Sequence, residues 1–148
     1  MTVEPDYEAS PIGWVRDQVE RYERSGGTEA ITLRDTGYPV VVITMRGVRS
    51  GKTRKVPVMR VEHNGEYLAV GSQGGAPAHP HWVHNLRAGQ PVSLQDGPSV
   101  QDMTVRELDG DERAVWWERA VEAFPNYADY QTRTDRLIPV FLLSPAVP

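Results

Sequence analysis

Hydrophobic and polar positions change period several times along the chain, and each change marks an element. Val15, Val19 and Tyr22 recur at helical spacing, with Asp17–Arg21 and Glu20–Arg24 as i,i+4 pairs on the polar side. Ser10-Pro11 reads as an N-cap with proline in the first turn, and Gly26-Gly27 as a stop, so a helical extension is expected over about 10–26. Its apolar stripe is thin, which suits a helix packed on the body from outside. Val40 to Met45 is a β-branched run that reads as a buried strand, and the glycine- and serine-containing stretch Arg46–Lys52 as a turn. Thr53 to His63 and Glu66 to Ser72 read as strands joined by an Asn64-Gly65 hairpin.

After a Gly74–Pro77 loop, Pro80 opens a short helix that ends before Gly89. Val92–Gln95 and Val100–Leu108 form a hairpin around Asp96-Gly97-Pro98. Asp109 and Glu112 resemble a capping box, leading a helix with Ala114, Trp117, Val121 and Phe124 on one face and Pro125 at its end. An aromatic-rich segment, Tyr127 to Tyr130, precedes a last buried strand, Ile138 to Leu143. About six strands, mostly in antiparallel hairpins, with three peripheral helices predict a mainly β fold: one domain, a small barrel with helices outside.

Charge distribution changes the picture more than composition does. The 148 residues carry a net charge of -4, yet Arg46, Arg49, Lys52, Arg54, Lys55 and Arg60 fall in one segment that has no acidic residue. Concentrated positive charge on an acidic protein reads as an anion site; solvated basic residues on a hairpin turn are the alternative. The absence of cysteine excludes disulfides, thiolate metal sites and cysteine nucleophiles. The acidic N-terminus (Glu4, Asp6, Glu8) lacks a signal-peptide pattern, and no stretch approaches the roughly 20 apolar residues of a membrane span. A cytoplasmic protein is expected, with at most peripheral contact with the inner face of the membrane.

Four segments hold candidate chemistry. In Thr44–Pro57, Gly47 and Gly51 let the backbone approach a ligand, Ser50 can bond phosphate oxygens, and Arg49, Arg54 and Lys55 supply charge. Its spacing is not that of a Walker P-loop. Ser72-Gln73-Gly74-Gly75-Ala76 ends a strand in geometry suited to a flat or charged ligand, or is a plain flexible loop. His79, His81 and His84 invite a zinc reading, but with no cysteine and no nearby carboxylate no metal is expected. Trp82 and Asn85 instead anchor the short helix beside the glycine loop. Tyr127 and Tyr130, three apart, share a helical face; a phenol can donate to a developing anion, or the pair closes a core edge. Neither a Gly-x-Ser-x-Gly elbow nor a Gly-x-Gly-x-x-Gly turn is present, against a serine hydrolase and a Rossmann site.

Four motifs in order, Thr-x-x-Gly-x-Arg-Ser-Gly-x-x-Arg, Ser-x-Gly-Gly-Ala, Pro-x-Trp-x-x-Asn-Leu and Pro-x-Tyr-x-x-Tyr, resemble the deazaflavin-dependent nitroreductase or F(420)H(2)-dependent quinone reductase family of actinobacteria, over about residues 38 to 143. The resemblance implies a split β-barrel of the FMN-binding type. It implies an enzyme passing hydride from reduced coenzyme F(420), a deazaflavin, to a quinone, nitroaromatic or other small activated acceptor. Arg49, Ser50, Gly51, Arg54 and Lys55 would hold the acidic tail and phosphate. Pro57 and Met59 would line the ring, Ser72, Gln73, Gly74, Gly75 and Ala76 would lie along it, and Pro80 and Trp82 would close the pocket. Tyr127 and Tyr130 match the family's tyrosines near the acceptor. Gln73 stands where relatives can have lysine, which shifts phosphate binding toward Arg54, and Met59 stands where an aromatic can occur. The charged N-terminal helix favours a soluble form. A homodimer is compatible with this reading, nucleic acid is not an expected partner, and FMN is the less favoured cofactor. The rivals are an F(420) carrier without turnover and an FMN-dependent split-barrel oxidoreductase.

Overall fold

The computed structural model describes residues 6–34 and 36–146. Helix α1 (Gly13–Arg24) is followed by β1 (Val40–Arg46), β2 (Thr53–Met59), β3 (Glu62–His63) and β4 (Glu66–Val70). Then come a 3-10 turn at Gln73–Gly75, α2 (His81–Arg87), β5 (Val92–Asp96), β6 (Ser99–Glu107), α3 (Gly110–Ala123), α4 (Asn126–Thr132) and β7 (Val140–Pro145). All seven strands belong to one antiparallel sheet in the order β2-β1-β5-β6-β7-β4-β3. Its two end strands, β2 and β3, are joined by Arg60 and Val61 alone. Two extended residues span only about 7 Å, so the sheet must curl until its ends meet. This is the barrel expected from the hairpin pattern, with one strand more than expected. The run Thr53–His63 is two strands because the chain passes there from one end of the sheet to the other.

Alternation within the strands builds two cores. Val41, Ile43 and Met45 join Ala69, Leu94, Met103, Phe141 and Leu143 in a core present on every long strand, the barrel interior, which Val83 and Leu86 of α2 plug. Val40, Val42, Leu68, Val140 and Leu142 face outward against Val19 and Tyr22 of α1, Trp116 and Ala120 of α3, and Phe124. Strands buried on both faces read as continuous apolar runs, which is why Val40–Met45 lacks alternation. Pro57 has no N–H to donate and is tolerated because β2 ends the sheet. The segment around Tyr7 covers that edge: the Glu8 N–H donates to Thr53 O at 2.9 Å, and the Thr53 N–H donates to Asp6 O at 3.1 Å.

Several local expectations are corrected. Ser10 is not the cap of α1; its hydroxyl accepts the Ile12 N–H at 3.1 Å and the helix starts at Gly13. Asp109 is the N-cap of α3 without a side-chain cap bond, and Glu112 does not reach back to it, because Arg106 takes Glu112 at 2.6 and 2.9 Å. The buried stripe of α3 is Trp116 and Ala120 leading to Phe124; Ala114 is exposed, with Trp117 and Val121 at the margin. The strand expected to reach Ser72 ends at Val70. The Asp17–Arg21 and Glu20–Arg24 pairs form at 3.8 and 3.5 Å. Gly27 does more than stop α1: a Cβ there would lie 2.0 Å from Gly97 O, so only glycine lets α1 meet the β5–β6 turn.

Candidate functional site

The β1–β2 turn is built by short-range bonds. The Gly51 N–H donates to Gly47 O at 2.9 Å, and the Ser50 hydroxyl accepts the Lys52 N–H at 3.1 Å. Asn85 of α2 fixes the turn from outside, its Oδ1 accepting the Val48 N–H at 3.0 Å. Asn85 therefore anchors α2 to the basic turn, not to the glycine loop, while Trp82 packs in the interior core near Phe141.

Carboxylates of the same chain neutralise most of the basic run. Arg46 lies 3.1 Å from Asp6, Arg54 lies 3.0 Å from Glu8 with Lys52 at 3.9 Å, and Arg60 grips Asp96 at 2.9 Å. Lys55 turns to α1 and pairs with Glu23 at 2.7 Å. Arg49 is exposed and has no such pair among the described residues. The Thr53 hydroxyl, the largest cause, and Arg46 bond the Asp6 carboxyl and hold it below the usual carboxylate range. Asp6 and Glu8 lie far from the basic run in sequence, and their pairing with it has no local signal.

The glycine loop has a defined shape. Ser72 is right-handed (φ -78, ψ -39), while Gln73 (φ 43) and Gly74 (φ 65) are left-handed. Such a succession turns consecutive N–H groups toward one side, a concave cradle of a shape that can receive an anion. Among the described residues the N–H groups of Ser72, Gln73 and Gly74 have no hydrogen-bond acceptor. Gly75 is required by contact: a Cβ there would be 2.6 Å from Tyr130 O. Arg136, which the sequence pattern did not single out, lies beneath the loop and donates to Gly71 O, Ser72 O and Ala76 O at 3.1, 2.7 and 2.8 Å. It also bonds His79 Nδ1 at 2.8 Å; a guanidinium only donates, so Nδ1 is the acceptor nitrogen. Burial first, then Arg136, holds His79 below its ordinary pKa.

The expected residues thus fall into two groups. Arg49, Ser50 and Gly51 lie on the turn that Asn85 ties to α2, and Arg54 follows at the start of β2. Ser72–Ala76 lead through Pro80 into α2 and pack against Tyr130. Contacts therefore link the four motifs around α2 and α4. Lys55, Pro57 and Met59 alternate onto the face of β2 toward α1, with Met59 in the outer core. Tyr127 is 3% exposed, ringed by Trp117, Phe124 and Tyr130, and burial pushes its phenol up; Tyr130 is half-buried. Open depressions of about 390 Å³ beside Thr44, Arg46 and Thr53 and about 420 Å³ beside Arg60 and Arg119 lie away from the glycine loop.

A curled antiparallel barrel with outer helices is the split β-barrel architecture. The family model described as F(420)H(2)-dependent quinone reductase matches residues 14–145, and the chain belongs to that family. An F(420)H(2)-dependent quinone reductase of Mycobacterium tuberculosis is 28% identical over 140 residues, covering 82% of this chain and 94% of that one. A solved F(420)H(2)-dependent reductase, FDR-A, is 57% identical, with TM-score 0.68 over 72% of this chain and 94% of that one. A further solved chain, described as a domain-swapped dimer, is 53% identical, with TM-score 0.71 over 91% of this chain and all of that one. The protein is accordingly an oxidoreductase whose cofactor is F(420) and whose acceptor is a small molecule. The unpaired amides and the exposed Arg49 fit a cofactor that joins a flat ring to an anionic chain. Among the described residues no helix is long and apolar enough to cross a membrane.

Proposed function

We propose that F(420) lies across the end of the barrel marked by α2. Its acidic tail rests on the turn at Arg49, Ser50, Gly51 and Arg54, and its phosphate-bearing chain on the Ser72–Ala76 cradle. The observation that carries this is the joining of the motifs: Asn85 holds the basic turn to α2 at 3.0 Å, and the glycine loop packs closely on Tyr130 at Gly75. Pro80 and Trp82 close the inner side. Lys55, Met59 and Tyr127, each enclosed by other side chains, shape the walls at one remove, and Pro57 borders them.

Reduced F(420), when bound, supplies a hydride. The residues of this chain then have three tasks: to fix the ring against the acceptor, to compensate the tail's charge, and to donate a hydrogen bond to the acceptor oxygen as it gains charge. Tyr130, half-buried on the helix that packs against the glycine loop, takes the third. A quinone fits as acceptor because both of its oxygens become anionic on reduction; nitroaromatics present similar oxygens. The 53% identical domain-swapped neighbour supports a homodimer as the working form. Oxidation of F(420)H(2) by a quinone, followed by the return of the oxidised cofactor's visible absorbance, tests the reading. Sustained turnover that Arg49→Ala weakens through KM is expected. Stoichiometric binding without turnover would make the protein a carrier.

A further inference from the structure

Arg136 lies between α4 and β7, in a stretch whose sequence pattern suggests no role. Its backbone is fixed from α4: Gln131 donates to Arg136 O at 2.8 Å and accepts the Ile138 N–H at 3.0 Å. Its guanidinium has five coplanar N–H groups and no acceptor. Three carbonyls around the glycine loop turn toward it, those of Gly71, Ser72 and Ala76.

The consequence follows from the trans peptide. Within one planar trans unit the C=O of a residue and the N–H of the next point in opposite directions. The Gly71 carbonyl shares its plane with the Ser72 N–H, and the Ser72 carbonyl shares its plane with the Gln73 N–H. Drawing those two carbonyls onto the guanidinium therefore aims the Ser72 and Gln73 amides away from it, and among the described residues neither amide has an acceptor. The arrangement carries strain: Gln73 is left-handed at φ 43, where a residue with a Cβ is disfavoured and needs outside bonds to stay. A lysine could reach one or two of these carbonyls, but its point charge cannot span all three.

We propose that Arg136 is a positioning residue for cofactor binding: by gathering the Gly71 and Ser72 carbonyls on one side, it presents the Ser72 and Gln73 amides to the anionic chain of F(420). The proposal rests on the assignment of the Ser72–Ala76 loop to the cofactor, and the two can fail separately.

The test is an amide NMR titration of the wild type, Arg136→Met and Arg136→Lys with F(420), alongside melting temperatures and steady-state kinetics. In the wild type, F(420) should move the Ser72 and Gln73 amide resonances. In Arg136→Met those shifts should vanish, and the dissociation constant and the KM for F(420)H(2) should rise on the order of tenfold. Turnover at saturating F(420)H(2) should stay within about twofold, a split that loss of folded protein would not produce. Arg136→Lys should fall between, and it decides the question if Arg136→Met does not fold. Equal shifts and equal affinity in wild type and variants would overturn the role of Arg136. Wild type that binds F(420) without moving the Ser72–Gly74 amides would overturn the loop assignment, and the proposal with it.

Discussion

Lys55 Nζ lies 2.7 Å from Glu23 Oε2, with 6% and 12% of the two side chains exposed, so a cation from the middle of the basic run is committed to α1. The pair joins the N-terminal helix to the end strand of the barrel. Removing one partner of an enclosed ion pair costs about 3 kcal/mol or more, because the other charge stays desolvated. Lys55→Met leaves the Glu23 carboxylate enclosed and should therefore lower stability in urea by about that amount. The double change Lys55→Met with Glu23→Ala should recover much of it. An unchanged midpoint in Lys55→Met would show that this ion pair does not hold α1 to the barrel.

Asp6 and Glu8 occupy Arg46, Lys52 and Arg54, cations on and beside the proposed tail site. Carboxylates of the chain and of the cofactor then compete for the same charges. Asp6→Asn with Glu8→Gln should raise F(420) affinity several-fold at low salt, and the gain should shrink by about 0.15 M salt as screening sets in. Unchanged or weaker affinity in an equilibrium titration would remove the competition from the account.

The two tyrosines should separate. Tyr130 is half-buried beside the cradle, whereas Tyr127 is enclosed by Trp117, Phe124 and Tyr130. Tyr130→Phe should lower turnover with a quinone by roughly tenfold, about 1.4 kcal/mol of barrier, with cofactor affinity retained. Tyr127→Phe should leave turnover near wild type. Full activity in Tyr130→Phe would leave acceptor protonation to water.

Tyr67 donates to Asp96 at 2.6 Å beside the Arg60–Asp96 pair, and burial followed by that bond pushes its phenol up to about 12. The unfolded chain releases this proton near the ordinary value of about 10. Between those values the unfolded state binds fewer protons than the folded one, so stability falls as pH rises. Unfolding measured from pH 9 to 12 should show a shallower loss in Tyr67→Phe than in wild type. An identical slope would show that the Tyr67 proton contributes nothing to stability in this range.

Period and turn chemistry made the strands, the Asn64-Gly65 hairpin and the outer packing of α1 legible before any coordinates. What failed did so through long-range competition. Arg106 claims Glu112 from the expected capping box, and the Ser10 hydroxyl is spent two residues before the helix. The break after Met59 exists because the sheet closes there, which no local pattern reports. The basic run was visible, but not the carboxylates that meet it from 46 residues away. Arg136 acts across more than 60 residues of sequence, on backbone oxygens that carry no side-chain signature.

A side-by-side fluorescence titration of the purified protein with F(420) and with FMN decides which cofactor the site selects. F(420) should bind at least roughly tenfold tighter than FMN, about 1.4 kcal/mol, with Arg49→Ala eroding that preference. FMN binding as tightly as F(420), or a preference untouched by Arg49→Ala, would contradict the assignment of F(420) to this site.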